Sequence, residues 1–283
     1  MEDIILPPEQ YEAFMRAERG EADPEAKAKR EKEKWGFISS LNSYTAQSPE
    51  FILPDFMPIA KRKVTMLSAP GGAGKSFIAI QAGLRIAYQG GKVGLWLTED
   101  ESGEIRERAE LIRERILFNK DPIPDTLYVR GSEAPSPVIT PEEVEIIKRE
   151  WAGLDLVVID PLIGFFEGNE NDNSLAKRFM QVLTAVAVAN DMSILVIHHN
   201  TKANADGETT TRGASAFVDA VRILYTLHYD KEEQEHRLKL EKDNVNAKKF
   251  KGDLFKVKAI PFDIVIEESR PQQTTFGGID DDF

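Results

Sequence analysis

Short apolar runs punctuate the middle of the chain: Val64–Leu67, Val93–Leu97, Leu127–Val129, Leu156–Ile159 and Ile194–Ile197. Between them lie segments whose apolar residues recur at helical spacing: Phe77–Tyr88, Gly103–Leu117, Pro141–Trp151 and Ser174–Ala189. Runs rich in β-branched residues, without polar alternation, predict strands buried on both faces. The amphipathic segments are the helices that cover those faces. This reads as an α/β fold, a mostly parallel sheet with helices on both sides. Further on, Val221–Leu227, Arg237–Leu240 and Leu254–Ala259 predict antiparallel strands added at the C-terminal side. Trp35 to Pro58 reads as an extended wrap leading into the core. The division expected is a charged arm and linker over 1–50, one catalytic-sized domain over 51–266, and a flexible acidic tail over 267–283.

The chemistry begins where the first predicted strand ends. Ser68-Ala69-Pro70-Gly71-Gly72-Ala73-Gly74-Lys75-Ser76 lies between a strand and a helix. A glycine-rich loop ending Gly-Lys-Ser in that context is a phosphate-binding loop. Its backbone N–H groups and the helix N-terminus cradle phosphates. The lysine reaches the β- and γ-phosphates, and the serine hydroxyl ligates Mg²⁺. Pro70, Gly71, Gly72, Ala73, Gly74, Lys75, Ser76 and Phe77 are therefore the candidate ATP-binding residues, with Ala69 where the pattern usually has its first glycine.

Three later strand ends supply partners at the carboxyl edge of the sheet, where open α/β folds bind ligands. Leu156-Val157-Val158-Ile159-Asp160 ends in a carboxylate suited to hold Mg²⁺ beside Ser76. Val93–Leu97 leads to Glu99, a candidate to polarise the attacking water; Asp100, Glu101 and Glu104 are available to cap the next helix instead. Ile194–Ile197 ends in His198 and His199, one of which can report the terminal phosphate. Neighbours on a strand point to opposite faces, which disfavours a shared metal ion and leaves open which histidine meets the nucleotide.

Bulk properties narrow the classes. The chain has 283 residues, no cysteine and a formal net charge of −12. Disulfides and cysteine–zinc sites are excluded, and a reducing cytoplasm is the expected setting. No apolar run is long enough for a membrane span. The acidic balance argues against a surface that coats nucleic acid, but a narrow basic channel remains compatible with it.

Taken together, these motifs resemble the RecA-like ATPases of the RepA type, small hexameric replicative helicases of plasmids and phages related to the DnaB type. The resemblance runs from about Phe51 to Ile260. It rests on Pro54-Asp55-Phe56, the phosphate loop, Thr98-Glu99-Asp100, Ile159-Asp160, His198-His199-Asn200-Thr201-Lys202, Arg212-Gly213-Ala214-Ser215 and Val218-Asp219-Ala220-Val221-Arg222. It implies a RecA-like P-loop core, ATP and Mg²⁺ as cofactors, and a homo-oligomeric, hexameric ring on single-stranded DNA. It also implies Glu99 as catalytic carboxylate, Asp160 as the Walker B acid, and a cation supplied by a neighbouring subunit. Arg222 is the first candidate for that cation and Lys242 the second. The DnaB-type pattern has a basic residue two places after that lysine, where this chain has Asn244.

Two loops would line the ring's channel. Lys202 and Arg212 flank one of them and are the candidate DNA contacts. In the other, Phe165 and Phe166 either stack on bases or pack into the core. The Lys248-Lys249-Phe250-Lys251 cluster either meets phosphate or is a solvated turn. Asp280-Asp281-Asp282-Phe283 resembles the acidic, aromatic-ended tips of some single-stranded-DNA-binding proteins, and could dock on a replication partner. The competing readings are a recombinase or recombination-mediator ATPase of the same fold, and a nucleotide-switched regulator of a partner.

Overall fold

A computed structural model describes residues 40–169, 172–199, 215–230, 235–249 and 254–257. The chain divides into two compact units, residues 1–48 and 49–283. In the first, the described residues form one 3₁₀ turn, Leu41–Ser43, capped by the Ser40 side chain. The second unit carries everything that follows. It opens with a two-stranded antiparallel pair, β1 (Phe51–Ile52) and β2 (Ile59–Ala60), where the sequence predicts only an extended wrap.

The main sheet follows the predicted alternation. In chain order it runs β3 (Val64–Ala69), α1 (Lys75–Tyr88), β4 (Val93–Leu97), α2 (Ser102–Arg115), β5 (Leu127–Arg130), α3 (Val144–Glu150), β6 (Leu156–Asp160), α4 (Asn173–Ala189), β7 (Ser193–His199), α5 (Ser215–Ala220), β8 (Ile223–Asp230), β9 (Glu235–Asp243) and β10 (Leu254–Val257). The spatial order is β10-β9-β8-β3-β7-β6-β4-β5. From β8 to β5 every neighbouring pair is parallel; β9 and β10 are added antiparallel. The helix expected over Pro141–Trp151 is a 3₁₀ turn, Pro141–Glu143, followed by α3. The proline locks the first turn while Thr140 and Glu143 form a capping box around it.

Burial on both sides explains the unbroken apolar runs. All residues of β3 and β6 are buried, as are six of the seven in β7. Alternation then sorts each strand between two cores. Leu67, Leu95, Leu156, Val158, Leu195 and Ile197 pack toward α1 and α2. Val64, Met66, Val157, Ile159, Ile194 and Val196 pack toward α4, with Phe179, Met180 and Leu183. One glycine is required by this packing. A Cβ on Gly83 of α1 would lie 3.1 Å from Leu127 and 3.2 Å from Leu95, so the helix rests directly on β4 and β5. At the far side β5 pairs with β4 alone among the described strands, leaving Tyr128 and Val129 exposed.

Candidate phosphate and cation site

The phosphate loop is shaped by two glycines in the left-handed region, Gly72 at φ 75° and Gly74 at φ 88°. A residue with a Cβ would be strained at either place. Gly74 is also the N-cap of α1 and makes no side-chain cap, so the first N–H groups of the helix stay available to an anion. Ala69 is the last residue of β3, buried and in register with His199 of β7. That position asks for a small residue rather than for glycine's conformational freedom. The Lys75 ammonium is turned back onto the loop, donating to the carbonyls of Ala69 (2.9 Å) and Pro70 (2.8 Å). Burial pushes its pKa down, partly offset by the carboxylates of Asp160 and Glu99. Phe77, half-buried in the first turn of α1, lies under the Arg108 guanidinium, which is 5.8 Å from its ring.

The cation pocket is built across 84 residues of sequence, with Ser76 Oγ donating to Asp160 Oδ2 at 2.6 Å. Asp160 is 3% exposed, and its other oxygen, Oδ1, has no hydrogen-bond partner. A buried carboxylate oxygen with no donor is costly. Burial, chiefly, raises the Asp160 pKa to about 6; Glu99 adds to the rise, while the Ser76 bond and Lys75 oppose it. A hydroxyl and a carboxylate oxygen with spare capacity are a hard-oxygen set suited to Mg²⁺, so the residues fit the implied ion.

Glu99 and His199 complete the edge. Ligand atoms of Glu99, Asp160 and His199 all lie within 4.8 Å of one another. His199 Nε2 is 3.7 Å from Glu99 Oε2. Burial lowers the His199 pKa, helped by Lys75 and opposed by Glu99, so the ring is neutral at pH 7. The neighbouring acids leave Glu99 free of structural duty. Glu101 and Glu104 form the capping box of α2, and Asp100 holds Arg108 through both carboxylate oxygens. His198 points the other way, buried beside Phe217 with ring centroids 6.3 Å apart. Strand parity assigns the two histidines: Leu195 and Ile197 share the α1 face with Leu156 and Val158, and His199 and Asp160 continue those two series. The cue lies in the sequence but becomes usable only once both strands are assigned to the same face as α1.

The candidate cations lie elsewhere. Arg222 is exposed just before β8 and, among the described residues, makes no ion pair. Lys242 is half-buried and donates to the carbonyls of Val218 and Asp219, both at 2.9 Å. It therefore faces its own chain rather than solvent, against the expectation of a cation offered to a neighbour. The stacking option for Phe165 and Phe166 is corrected too. Phe165 is fully buried against Trp96 at 5.4 Å, and Phe166 packs edge-on against Phe179 and Phe217. Lys249 lies over the Phe51 ring at 5.1 Å. Lys202, Arg212, the residues before Ser40 and the acidic tail lie outside the described residues.

A separate cleft of about 620 Å³ opens between β4, β5 and α3, lined by Trp96, Tyr128, Arg130, Ile146 and Trp151. None of Lys75, Ser76, Glu99, Asp160 or His199 reaches it. No helix among the described residues is long and apolar enough to cross a membrane.

Among solved structures, the ATPase domain of a helicase matches with a TM-score of 0.50, covering 70% of this chain and 81% of that chain at 15% identity. At that identity the likeness is one of fold, and the fold is that of a RecA-like ATPase domain. A family model described as AAA domain (AAA_25) matches residues 28–205, which is more than half of the chain and includes the phosphate loop, Glu99, Asp160 and both histidines. With the loop, the buried acid and the added antiparallel strands all on one RecA-like core, the chain belongs to this AAA domain family.

Proposed function

We propose that the chain is an ATP-driven helicase or translocase that works on single-stranded DNA as a hexameric ring, in replication of the phage or plasmid type. The observation that carries the hydrolytic part is the Ser76–Asp160 bond beside Glu99 and His199: a cation seat, a base and a phosphate sensor converge on the phosphate loop. The loop N–H groups and Lys75 hold the phosphates, with the lysine exchanging two backbone carbonyls for phosphate oxygens. Mg²⁺, when bound, neutralises charge on those oxygens. Glu99, exposed at the edge, orients the attacking water and accepts its proton. Neutral His199 donates to the terminal phosphate and registers its loss at the end of β7. Arg222 of an adjacent subunit completes the charge balance as phosphoryl transfer proceeds. Fold likeness to a helicase ATPase domain supports the motor reading over the recombinase and switch readings, and Lys202 and Arg212 are the proposed DNA contacts.

The test is steady-state ATP hydrolysis with and without single-stranded DNA, at low and moderate salt. The expected result is stimulation by DNA that fades as salt rises, followed by strand displacement in a forked-duplex assay. Hydrolysis indifferent to DNA would replace the motor with a partner-regulating switch. Stimulation without strand displacement would favour the recombinase class.

A further inference from the structure

Lys242 sits where the resemblance led us to look for a cation offered in trans, yet it is committed within its own chain. Its ammonium donates to Val218 O and Asp219 O, each at 2.9 Å. These are among the last carbonyls of α5, a helix of six residues whose C-terminal acceptors have no partner within the helix itself. A cation at that end also meets the negative end of the helix dipole. Two places further along the chain, the Asn244 N–H donates to Arg222 O at 2.9 Å. The end of β9 thus grips the chain on both sides of Val221, which is itself buried.

We propose that Lys242 is a positioning residue: it clamps the C-terminus of α5 and so aims Arg222 outward, instead of reaching a neighbour's nucleotide. The inference rests on the reading of Arg222 as the cation supplied in trans. Only Val221 and Arg222 separate α5 from β8. Any tilt of the helix must therefore be absorbed at those two residues, and the Arg222 side chain swings with it. The other end of α5 is held independently. Phe217 is fully buried, edge-on to Phe166 at 5.1 Å and to Phe179 at 6.1 Å. With the aromatic anchor on one side and the lysine on the other, the helix has a defined orientation. To act in trans, Lys242 would have to abandon two charge-assisted bonds and leave both carbonyls without that donor. The Lys-Asp-Asn sequence is then coherent. The lysine holds the helix, and at Asn244 the contact is through the backbone, so no basic side chain is needed there.

The experiment compares Lys242→Met and Lys242→Arg, alone and in an Arg222→Ala background, in the full-length chain. Amide hydrogen exchange is followed over 216–222, and ATP turnover is read under steady-state and single-turnover conditions. Lys242→Met should speed exchange in this segment by about 10-fold and lower kcat by a similar factor, with KM for ATP unchanged. Lys242→Arg, which can still donate to both carbonyls, should restore most of each. In the Arg222→Ala background, Lys242→Met should cost nothing further. A full multiplicative loss on top of Arg222→Ala would overturn the proposal, since Lys242 would then act independently. Unchanged exchange in Lys242→Met would overturn it as well. If Arg222→Ala hydrolyses ATP normally, the trans role of Arg222 falls, and the exchange result still decides whether the clamp exists.

Discussion

The parallel half of the sheet and its antiparallel extension hold their functional groups in opposite ways. At the carboxyl edge of β3, β4, β6 and β7 the groups face one another within one chain. Lys75 rests on its loop, Ser76 is bonded to Asp160, and Glu99 stands beside His199. Beyond β8 the arrangement turns outward. Arg222 is exposed, while the second candidate cation on that side, Lys242, is spent on a helix end. Parallel strands buried on both faces can bring several strand ends to one point. An antiparallel addition at the sheet's side has no such convergence and can present a group only to something outside. On the proposed reading, one chain supplies the phosphate seat, the acids and the sensor, and the next chain supplies the neutralising charge.

That division can be broken most forcefully at Arg222. Arg222→Ala should lower ATP turnover by about 10³-fold or more, in the range of other arginine fingers. Rings mixed with Lys75→Ala subunits should regain part of it, because each defective subunit then borrows what the other retains. Absence of rescue under confirmed mixing would return Arg222 to its own chain. The inward half is tested next. Glu99→Gln should lower kcat by about 10²- to 10⁴-fold while nucleotide affinity stays within a few-fold. Normal hydrolysis by this variant would reduce Glu99 to a surface acid.

The smallest effect concerns Asp160 in nucleotide-free protein. Burial raises its pKa from 3.8 to about 6. Between those values the folded chain holds a proton that the unfolded chain has released. Its contribution therefore weakens stability as pH rises from about 4 to 6, by up to about 3 kcal/mol. Asp160→Asn removes this dependence. Urea denaturation of both proteins across that window should show wild type losing ground to the variant as pH increases. A constant difference would mean that the carboxyl is not pushed up by its surroundings.

Much of this was legible without coordinates because the informative segments are short and locally determined. A buried apolar run followed by glycines and Lys-Ser predicts a strand, a loop and a helix start, and β3 and α1 occupy those places. Asp160 could be read from its strand end. What could not be read depends on distant contacts. Whether Phe165 and Phe166 meet bases or the core is decided by Trp96, Phe179 and Phe217, none of them a sequence neighbour. The destination of Lys242 is set by a helix more than twenty residues earlier. The β1–β2 pair is two residues on each side, too short for any alternation to announce it.

The open side of the sheet has a consequence for behaviour at high concentration. An unpaired strand edge with Tyr128 and Val129 exposed is a template for unwanted main-chain pairing between molecules. Here β5 is only four residues long, with Pro122 and Pro124 ahead of it and Pro135 and Pro137 after it. Proline has no N–H to donate, so a foreign strand could add a few hydrogen bonds but could not extend them along the chain in either direction. Shortness and flanking prolines thus protect the molecule from fibrillar stacking at a place where its side chains alone would invite it.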